Sequence, residues 1–238
     1  MIIYLGESVS KKQPTKRQAR RKIRERQKLA TRIITISFLV ILIIVVALLT
    51  TSTIKNKEKS MKMPELVGTK QYSFAPPLFI DVEKKYYAQV KMAKGGEFTI
   101  QLFPDKAPLT VNNFVFLSQE GYYDGVTFHR VLEGFMAQGG DPTGTGAGGP
   151  GYKFVNEVSD LKFDKPGVVA MANAGKNTNG SQFFIMFNAY GLSPSDYTIF
   201  GQVIEGMDIV NSITLRDPSK SPDFPGDIIE RITVTEGE

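Results

Sequence analysis

The longest apolar segment of the chain lies near its N-terminus. Residues 33–54 carry no charge, and every residue from Phe38 to Leu49 is apolar. As a helix this segment would be about 33 Å long, which is enough to cross a hydrocarbon core of about 30 Å. The pattern therefore predicts a transmembrane helix over residues 33–54.

Two other structures are compatible with this segment. A buried helix of a globular domain is one, but such helices seldom lack a polar face over this length. A cleaved signal peptide is the other, but its apolar stretch is usually shorter, and no A-x-A cleavage site follows here. The transmembrane helix is favoured over both.

The C-terminal part of the chain alternates apolar and polar residues over short stretches. Tyr86–Met92 and Phe98–Leu102 alternate on either side of Gly95-Gly96, which predicts a β-hairpin. A helix is predicted to begin at Pro108 and to end at Gly121, with an apolar stripe between them. Further strands are predicted at 126–128, 167–171, 183–187, 198–203 and 228–234, and a second helix at 205–213. Many short strands with two helices indicate an antiparallel sheet system, either a barrel or a sandwich.

These patterns divide the chain into four parts. Residues 1–32 form a basic tail, 33–54 the apolar span, 55–80 a linker and 81–238 a globular domain. The linker assignment rests on a mixture of Lys, Met and polar residues without sustained periodicity. It also rests on Pro76-Pro77, which cannot lie inside a helix.

Charge is distributed unevenly along the chain and predicts its orientation. The net charge is +5, but residues 1–32 alone carry eleven Lys/Arg against two Glu. Nine Lys/Arg lie in the twenty residues before the span and five in the twenty after it. The positive-inside rule therefore places the N-terminus in the cytoplasm and the domain outside. We expect a single-pass protein of the cell membrane whose residues 33–54 contact the lipid bilayer, with secretion after signal cleavage as the alternative.

The basic tail has two explanations. The simpler one is that its lysines and arginines only determine the topology of the span. The other is that they contact anionic lipid headgroups or RNA. We favour the first explanation.

The remaining composition excludes several classes of chemistry. The chain has no cysteine, which excludes disulfides and thiol catalysis. Residues 33–238 carry eighteen basic and twenty-two acidic side chains, so we expect no nucleic-acid partner for the domain. His129 is the only histidine, which excludes a multi-histidine metal site, and we expect it to be a packed residue rather than a proton carrier. We expect neither a metal nor a cofactor.

Three segments carry a more specific signal. They are Phe128–Asp141 (FHRVLEGFMAQGGD), Met171–Ile185 (MANAGKNTNGSQFFI) and Ile199–Val210 (IFGQVIEGMDIV). They resemble the cyclophilin family of peptidyl-prolyl cis/trans isomerases, and the resemblance extends from Tyr86 to Val234. It implies a mostly β fold, a closed eight-stranded antiparallel barrel with two capping helices. In this chain the barrel would be preceded by one transmembrane helix.

The resemblance also implies the reaction and its catalytic residues. Rotation about an X-Pro bond passes through a twisted state that has lost amide resonance, with a barrier of about 18–20 kcal/mol. It makes and breaks no covalent bond, so the site needs a proline pocket and a donor directed at the prolyl nitrogen rather than a nucleophile. By resemblance the donor is Arg130. Gln138 is the second catalytic residue implied, in a role that binds or orients Arg130 and the substrate backbone.

The resemblance further implies a set of substrate-binding residues with apolar, small or amide side chains. They are Phe135, Met136, Ala172, Asn173, Ala174, Gln182, Phe184, Leu192 and Tyr197. Within this set, Phe135, Met136 and Phe184 would line the proline pocket. Residues 172–174 would border the residue that precedes proline.

Two members of this set depart from the family pattern. Leu192 stands where many cyclophilins have a tryptophan, and Tyr197 stands where many have a histidine. Because the chain has no tryptophan, we expect weak cyclosporin binding. Tyrosine keeps an aromatic wall and a hydroxyl group, so the pocket is expected to persist with an altered shape.

A glycine-rich segment offers a competing interpretation. Gly144-x-Gly146-x-x-Gly149 fits a dinucleotide-binding fingerprint, but Pro150-Gly151 follows where a helix should begin. We interpret the segment as a surface loop that borders the site. Ser181 lies in NGSQ, which is not a nucleophile elbow.

Two functions from different classes follow, beside a scaffold regulated by RNA or lipid, which rests only on the basic tail. The first is a prolyl isomerase, expected to be monomeric, that acts on unfolded or folding proteins with X-Pro bonds after their export. The second is a non-catalytic chaperone or binding module for Pro-containing segments. Loss of Arg130 should abolish the first function and largely spare the second.

Overall fold

The structure is a computed structural model that describes residues 66–68 and 70–237. Most of its strands belong to one eight-stranded antiparallel sheet, in the spatial order β10-β3-β4-β9-β7-β8-β6-β5, and β1 and β2 form a separate pair. The strands are β1 (Leu66–Gly68), β2 (Gln71–Tyr72), β3 (Lys85–Met92), β4 (Glu97–Leu102), β5 (Arg130–Leu132), β6 (Met136–Gly139), β7 (Val168–Met171), β8 (Phe183–Met186), β9 (Ile199–Glu205) and β10 (Ile229–Gly237). The helices are α1 (Pro108–Gln119), α2 (Met207–Asn211) and a short 3₁₀ helix (Pro218–Lys220).

The hairpin predicted at the start of the domain is confirmed. Strands β3 and β4 pair in antiparallel register, with Ala88 opposite Ile100 and Val90 opposite Phe98. These four side chains are buried, whereas the residues between them are more exposed. Successive side chains of a strand point to opposite faces, so the alternation in sequence places one apolar face on the core.

Helix α1 begins at the predicted Pro108 and ends at Gln119, two residues before the predicted Gly121. Pro108 is at the start of the helix, where the missing N–H would have no partner within the helix. At the other end, Gly121 has a left-handed φ of 64°, and its N–H donates to the Ser118 carbonyl while the N–H of Tyr122 donates to Leu117. This pair of bonds satisfies two carbonyls of the last turn.

Burial of α1 extends beyond the predicted stripe. All residues from Thr110 to Ser118 are buried. The reason is that residues 76–80 lie against the second face of the helix, where Asn112 accepts from the N–H of Phe79 and donates to the Pro77 carbonyl, both at 2.9 Å. Residues 70–80, which we assigned to the linker, therefore pack on the domain.

Three predicted elements differ from the structure. Residues 126–128 form no strand, because Thr127 makes only isolated bridges, to Asp141 and to Ile228. The segment 130–139, where no strand was predicted, contains β5 and β6. The second helix is α2, shorter than the predicted 205–213, because β9 continues to Glu205 and the chain turns at Gly206, where φ is 76°.

The eight antiparallel strands agree with the predicted fold, but the barrel is not closed by a regular ladder. In the part of the chain described, the edge strands β5 and β10 are not paired with each other. Isolated contacts connect the curled sheet near this gap. Val131 and Arg216 exchange two backbone hydrogen bonds at 2.7 and 2.9 Å, and the N–H of Phe128 donates to Asp227 at 2.9 Å.

The transmembrane prediction falls outside the structure. Among residues 66–68 and 70–237, no helix is both long and apolar enough to cross a bilayer. The span predicted at 33–54 lies outside the described residues, as does the basic tail.

Strands β6, β7 and β8 contribute to two separate apolar clusters. Phe183 and Ile185 point into the main core, which also contains α1, whereas Phe184 and Met186 belong to a second cluster. The buried members of that second cluster are Met136, Phe163, Val168, Ala170, Phe184, Met186 and Ile199. Because side chains alternate along each strand, the same three strands build the core on one face and a second apolar surface on the other.

One buried carboxylate organises the glycine-rich loop that follows β6. Asp141 accepts hydrogen bonds from the N–H and hydroxyl of Thr143, at 2.7 and 2.8 Å, and from the N–H groups of Gly146 and Gly148, at 2.6 and 3.1 Å. Burial alone would raise the pKa of Asp141, but these donors outweigh it and hold the pKa below its ordinary value. The loop therefore folds around an ionised carboxylate.

We expect Asp141→Asn to destabilise the domain in a pH-dependent way. A hydrogen bond to a charged group contributes about 1.5–3 kcal/mol, so a loss of about 2 kcal/mol should lower the unfolding temperature by about 4–8 °C at pH 7. The lowered pKa means that this stability is present above the ordinary value of 3.8 and is lost as the pH falls through the folded-state value. Thermal unfolding followed by circular dichroism at pH 7 and pH 3 measures the difference. The exposed Asp164→Asn is the control, and an equal effect of both variants would contradict the account.

Two glycines with nearly the same φ allow the cost of a left-handed backbone to be measured apart from the cost of a close contact. Gly206 and Gly125 have almost the same φ, 76° and 78°. A Cβ at Gly206 would lie 2.5 Å from the Glu97 carbonyl oxygen, whereas a Cβ at Gly125 would have nothing within 4 Å. We expect Gly125→Ala to cost about 1–2 kcal/mol through its left-handed backbone and Gly206→Ala to cost clearly more. Denaturant unfolding measures both, and equal losses would show that the close contact at Gly206 has no effect.

Candidate active site

The register between β5 and β6 places the predicted catalytic residues side by side. Arg130 lies directly opposite Gln138 in the antiparallel pair. Nη1 of Arg130 lies 3.4 Å from Oε1 of Gln138 and 3.9 Å from the sulfur of Met136. Because Met136 and Gln138 are two residues apart on β6, both side chains lie on the same face as the guanidinium group.

A chain of amide hydrogen bonds determines which atom of Gln138 faces Arg130. Nε2 of Gln182 donates to the carbonyls of Gly146 and Gly148, both at 2.9 Å. Its Oε1 is therefore free to accept from Nε2 of Gln138, also at 2.9 Å. This leaves the oxygen of Gln138 directed at Arg130. The glycine-rich loop thereby orients the guanidinium group through two glutamines.

Nine of the eleven predicted site residues surround one small cavity. The cavity has a volume of about 180 Å³, and it opens on the second apolar cluster rather than on the main core. Its lining consists of Arg130, Phe135, Met136, Gln138, Ala172, Asn173, Phe184, Leu192 and Tyr197. The structure brings these residues together, and their roles stay predictions.

The other two predicted residues lie in an adjoining groove. Ala174 and Gln182 line a larger depression of about 880 Å³, which shares Gln138, Ala172 and Asn173 with the small cavity. The glycine-rich loop forms another part of its lining. The cavity and the groove are therefore contiguous.

Aromatic rings hold the apolar wall of the cavity. The ring of Phe184 stacks on Phe163, with centroids 5.9 Å apart and planes 19° apart, and meets Tyr197 edge to face at 5.5 Å. Phe163 is only 4% exposed but was not predicted from the sequence. Phe163 is the single aromatic residue in the mostly polar stretch 157–166. One aromatic residue without a periodic pattern around it does not indicate whether its ring is buried or exposed.

A second aromatic pair lies at the rim of the cavity. The ring of Phe135 lies 6.0 Å from the guanidinium carbon of Arg130 and 4.4 Å from the ring of Tyr190. Tyr190 is half exposed and was also missed. Phe135 therefore lies in contact with a cation and a second ring, which restrict its orientation at the cavity entrance.

One carbonyl group of the loop that carries Leu192 and Tyr197 accepts hydrogen bonds from two asparagine side chains. The Asp196 carbonyl accepts from Nδ2 of Asn173 at 2.8 Å and from Nδ2 of Asn156 at 2.9 Å. Asn173 also lines the cavity, so the same side chain contributes to the wall and fixes the loop that completes it.

The buried histidine and serine that the sequence offered for acid-base or nucleophilic chemistry lie outside the cavity lining. His129 is buried, and burial lowers its pKa, so the imidazole is neutral at pH 7. Ser181 is buried as well, and its hydroxyl donates to the Gly140 carbonyl at 2.7 Å and lies 2.9 Å from the hydroxyl of Tyr122. Among the described residues, no three His, Asp or Glu side chains cluster in a way that could hold a metal ion.

Comparison with known proteins identifies the family. The family described as cyclophilin type peptidyl-prolyl cis-trans isomerase/CLD matches residues 87–234. Peptidyl-prolyl cis-trans isomerase A of Mycobacterium tuberculosis is 48% identical, over 59% of this chain and 87% of that protein. Peptidyl-prolyl cis-trans isomerase ppi1 of Schizosaccharomyces pombe is 46% identical, over 58% of this chain and 94% of that protein.

Solved structures agree with this assignment. A cyclophilin type peptidyl-prolyl cis-trans isomerase of Cryptosporidium parvum superposes with a TM-score of 0.58 at 34% identity and covers 65% of this chain and 99% of its own. The same protein in the presence of the dipeptide Ala-Pro gives a TM-score of 0.57 at 36% identity, over 63% of this chain and 99% of its own. With a family match over residues 87–234 and relatives that align over most of their length, this chain belongs to the cyclophilin-type peptidyl-prolyl cis-trans isomerases.

Proposed function

We propose that this isomerase accelerates X-Pro rotation in exported proteins through hydrogen bonding of Arg130 to the twisted prolyl nitrogen. The observation that carries the proposal is the position of the guanidinium group. It lies in the wall of a small cavity with both apolar and polar lining residues, beside an amide oxygen rather than a carboxylate. The ion pairs of the described residues do not include Arg130, so its charge remains available to a substrate.

The cavity contributes binding free energy for the substrate, and Arg130 contributes part of the rate acceleration. Burial of the three methylenes of a proline ring contributes about 2.4 kcal/mol, which stabilises the ground state and the twisted state alike. A charge-assisted hydrogen bond of about 1.5–3 kcal/mol accelerates rotation only to the extent that it forms in the twisted state. If it forms only there, it corresponds to a factor of about 10–100 in rate.

Anchoring of the flanking backbone supplies the rest of the acceleration. Bringing a process of tens of seconds into the millisecond range requires about 5–6 kcal/mol. The groove that adjoins the cavity can hold the residues before proline while the bond turns, because it shares Ala172 and Asn173 with the cavity. The Cryptosporidium parvum protein, solved in the presence of Ala-Pro, supports a small residue followed by proline as the minimal substrate.

The N-terminal third of the sequence supports the proposed location. The uncharged segment 33–54 would anchor the domain, and the excess of basic residues before it would retain the N-terminus in the cytoplasm. The substrates would then be proteins that fold after crossing the membrane. Tyr197 and Leu192 give the cavity a lining without histidine or tryptophan, so we propose isomerase activity with weak cyclosporin binding.

We expect Arg130→Ala to lower kcat/KM for an Ala-Pro peptide by about 10–100-fold, with most of the loss in kcat, because the hydrogen bond forms in the twisted state. Arg130→Lys should recover only part of the rate, because an ammonium group cannot contact Gln138 and the substrate in the same planar geometry. Protease-coupled or NMR exchange assays measure both constants.

The control for this experiment is Arg231→Ala, a surface arginine that pairs at 3.6 Å with Asp124 and does not line the cavity. Equal activity of wild type and Arg130→Ala would contradict the mechanism. Tight binding of Pro-containing peptides by a folded but inactive wild-type protein would instead favour the non-catalytic binding module.

The proposed topology predicts the result of protease treatment of intact cells. An external protease should digest the isomerase domain, whereas an epitope inserted before residue 16 should stay protected until the membrane is permeabilised. The mature protein should sediment with membranes at the full mass of 26.4 kDa. A smaller product released into the medium would support signal cleavage instead.

A further inference from the structure

A segment outside the matched family region is built into the domain. Residues 70–72 precede the match at 87–234, yet Tyr72 is 5% exposed and its ring packs edge to face on Phe116 of α1 at 5.1 Å. Its N–H donates to the Pro150 carbonyl at 2.8 Å, at the end of the glycine-rich loop. Strand β2 therefore connects the core to the loop that borders the substrate groove.

Lys70 holds the same segment on its other side. Its ammonium group donates to the carbonyls of Tyr122 and Asp124, at 2.8 and 2.6 Å. The backbone of Lys70 is left-handed, with φ of 54°, which turns the chain into β2. The contacts of Lys70 and Tyr72, the residues before and after Gln71, thus determine the position of β2.

The contact between β2 and the loop is close enough to exclude a side chain. Gly151 has φ of 93°, and a Cβ there would lie 2.8 Å from the Tyr72 carbonyl oxygen and 3.4 Å from Cβ of Gln71. Two backbone segments can approach to this extent only where one of them is glycine. Gln71 is consequently fixed beside the loop, with an exposed side chain.

Gln71 lines the groove of about 880 Å³ that adjoins the proline cavity. The groove shares Gln138, Ala172 and Asn173 with that cavity and extends past the glycine-rich loop to Gln71 and Lys153. An extended polypeptide advances about 3.3 Å per residue, so a segment that continues from the cavity along this groove brings residues other than the proline and its immediate neighbour to Gln71.

We propose that Gln71 is a specificity-determining residue for the substrate positions that lie two or more residues before the proline. Its amide can donate to and accept from the backbone or a polar side chain of the bound segment. This inference rests on the proposed function, because it assigns a further contact to the same substrate. The part of the chain next to the predicted anchor thereby contributes to substrate selection.

The test uses the full-length protein in detergent and two peptides that are identical except for Lys or Glu three positions before Ala-Pro. The measured quantity is the ratio of kcat/KM for the Lys peptide to that for the Glu peptide at low ionic strength. Gln71→Glu should raise this ratio by at least about threefold, and Gln71→Lys should lower it by a similar factor, because an exposed charge pair is worth about a factor of two to five. A role of Gln71 in folding alone would move both peptides together and leave the ratio unchanged.

Gln119→Glu and Gln119→Lys are the matched controls, because Gln119 is exposed at the end of α1 and lines neither the cavity nor the groove. Ratios that change no more in the Gln71 variants than in these controls would overturn the inference while wild-type activity stands. A folded wild-type protein that fails to isomerise the short Ala-Pro peptide would overturn the proposed function and this inference with it.

Discussion

The strict alternation of side chains along three adjacent strands is the constraint on which the rest of the structure depends. Strands β6, β7 and β8 are buried on both faces, so each must supply one set of apolar residues to the core and another to the second apolar cluster. A shift of one residue in register would exchange the two sets. The same register places Arg130 opposite Gln138, so the geometry of the site and the packing of the core are consequences of one pairing.

The polar part of the site depends on a loop that has little apolar content of its own. Asp141 gathers the N–H groups of the glycine-rich loop, and the loop carbonyls in turn fix Gln182, which orients Gln138. Each step satisfies a hydrogen-bonding group that would otherwise be costly to bury. The orientation of Arg130 is therefore linked to a carboxylate that never contacts the cavity, and a mutation in the loop can alter the site without touching it.

The arrangement suits a reaction whose only requirement is differential stabilisation of a twisted amide. The cavity lining combines five apolar side chains with Arg130, Gln138, Asn173 and Tyr197, and the neutral, buried His129 lies outside it. In the proposed mechanism, the partial exclusion of water by the apolar wall strengthens a hydrogen bond from Arg130 to the prolyl nitrogen. In the same proposal the groove extends the contact with the substrate, so that binding energy restrains one side of the bond while the other rotates.

The sequence by itself determined the family, the hairpin β3–β4, the limits of α1 and nine residues of the cavity, because these depend on local periodicity, on capping glycines and on three recognisable segments. It did not determine β5 and β6, whose residues lack an alternating pattern. In β6, Gly139 packs closely against Phe128, and Gln138 belongs to a network of amide hydrogen bonds, so neither residue follows the apolar and polar alternation of a strand. It also missed Phe163 and Gln71, which reach the site only through contacts with residues distant in the chain. Only the tertiary structure could place them, because a loop aromatic or a linker glutamine carries no local signal of what will pack against it.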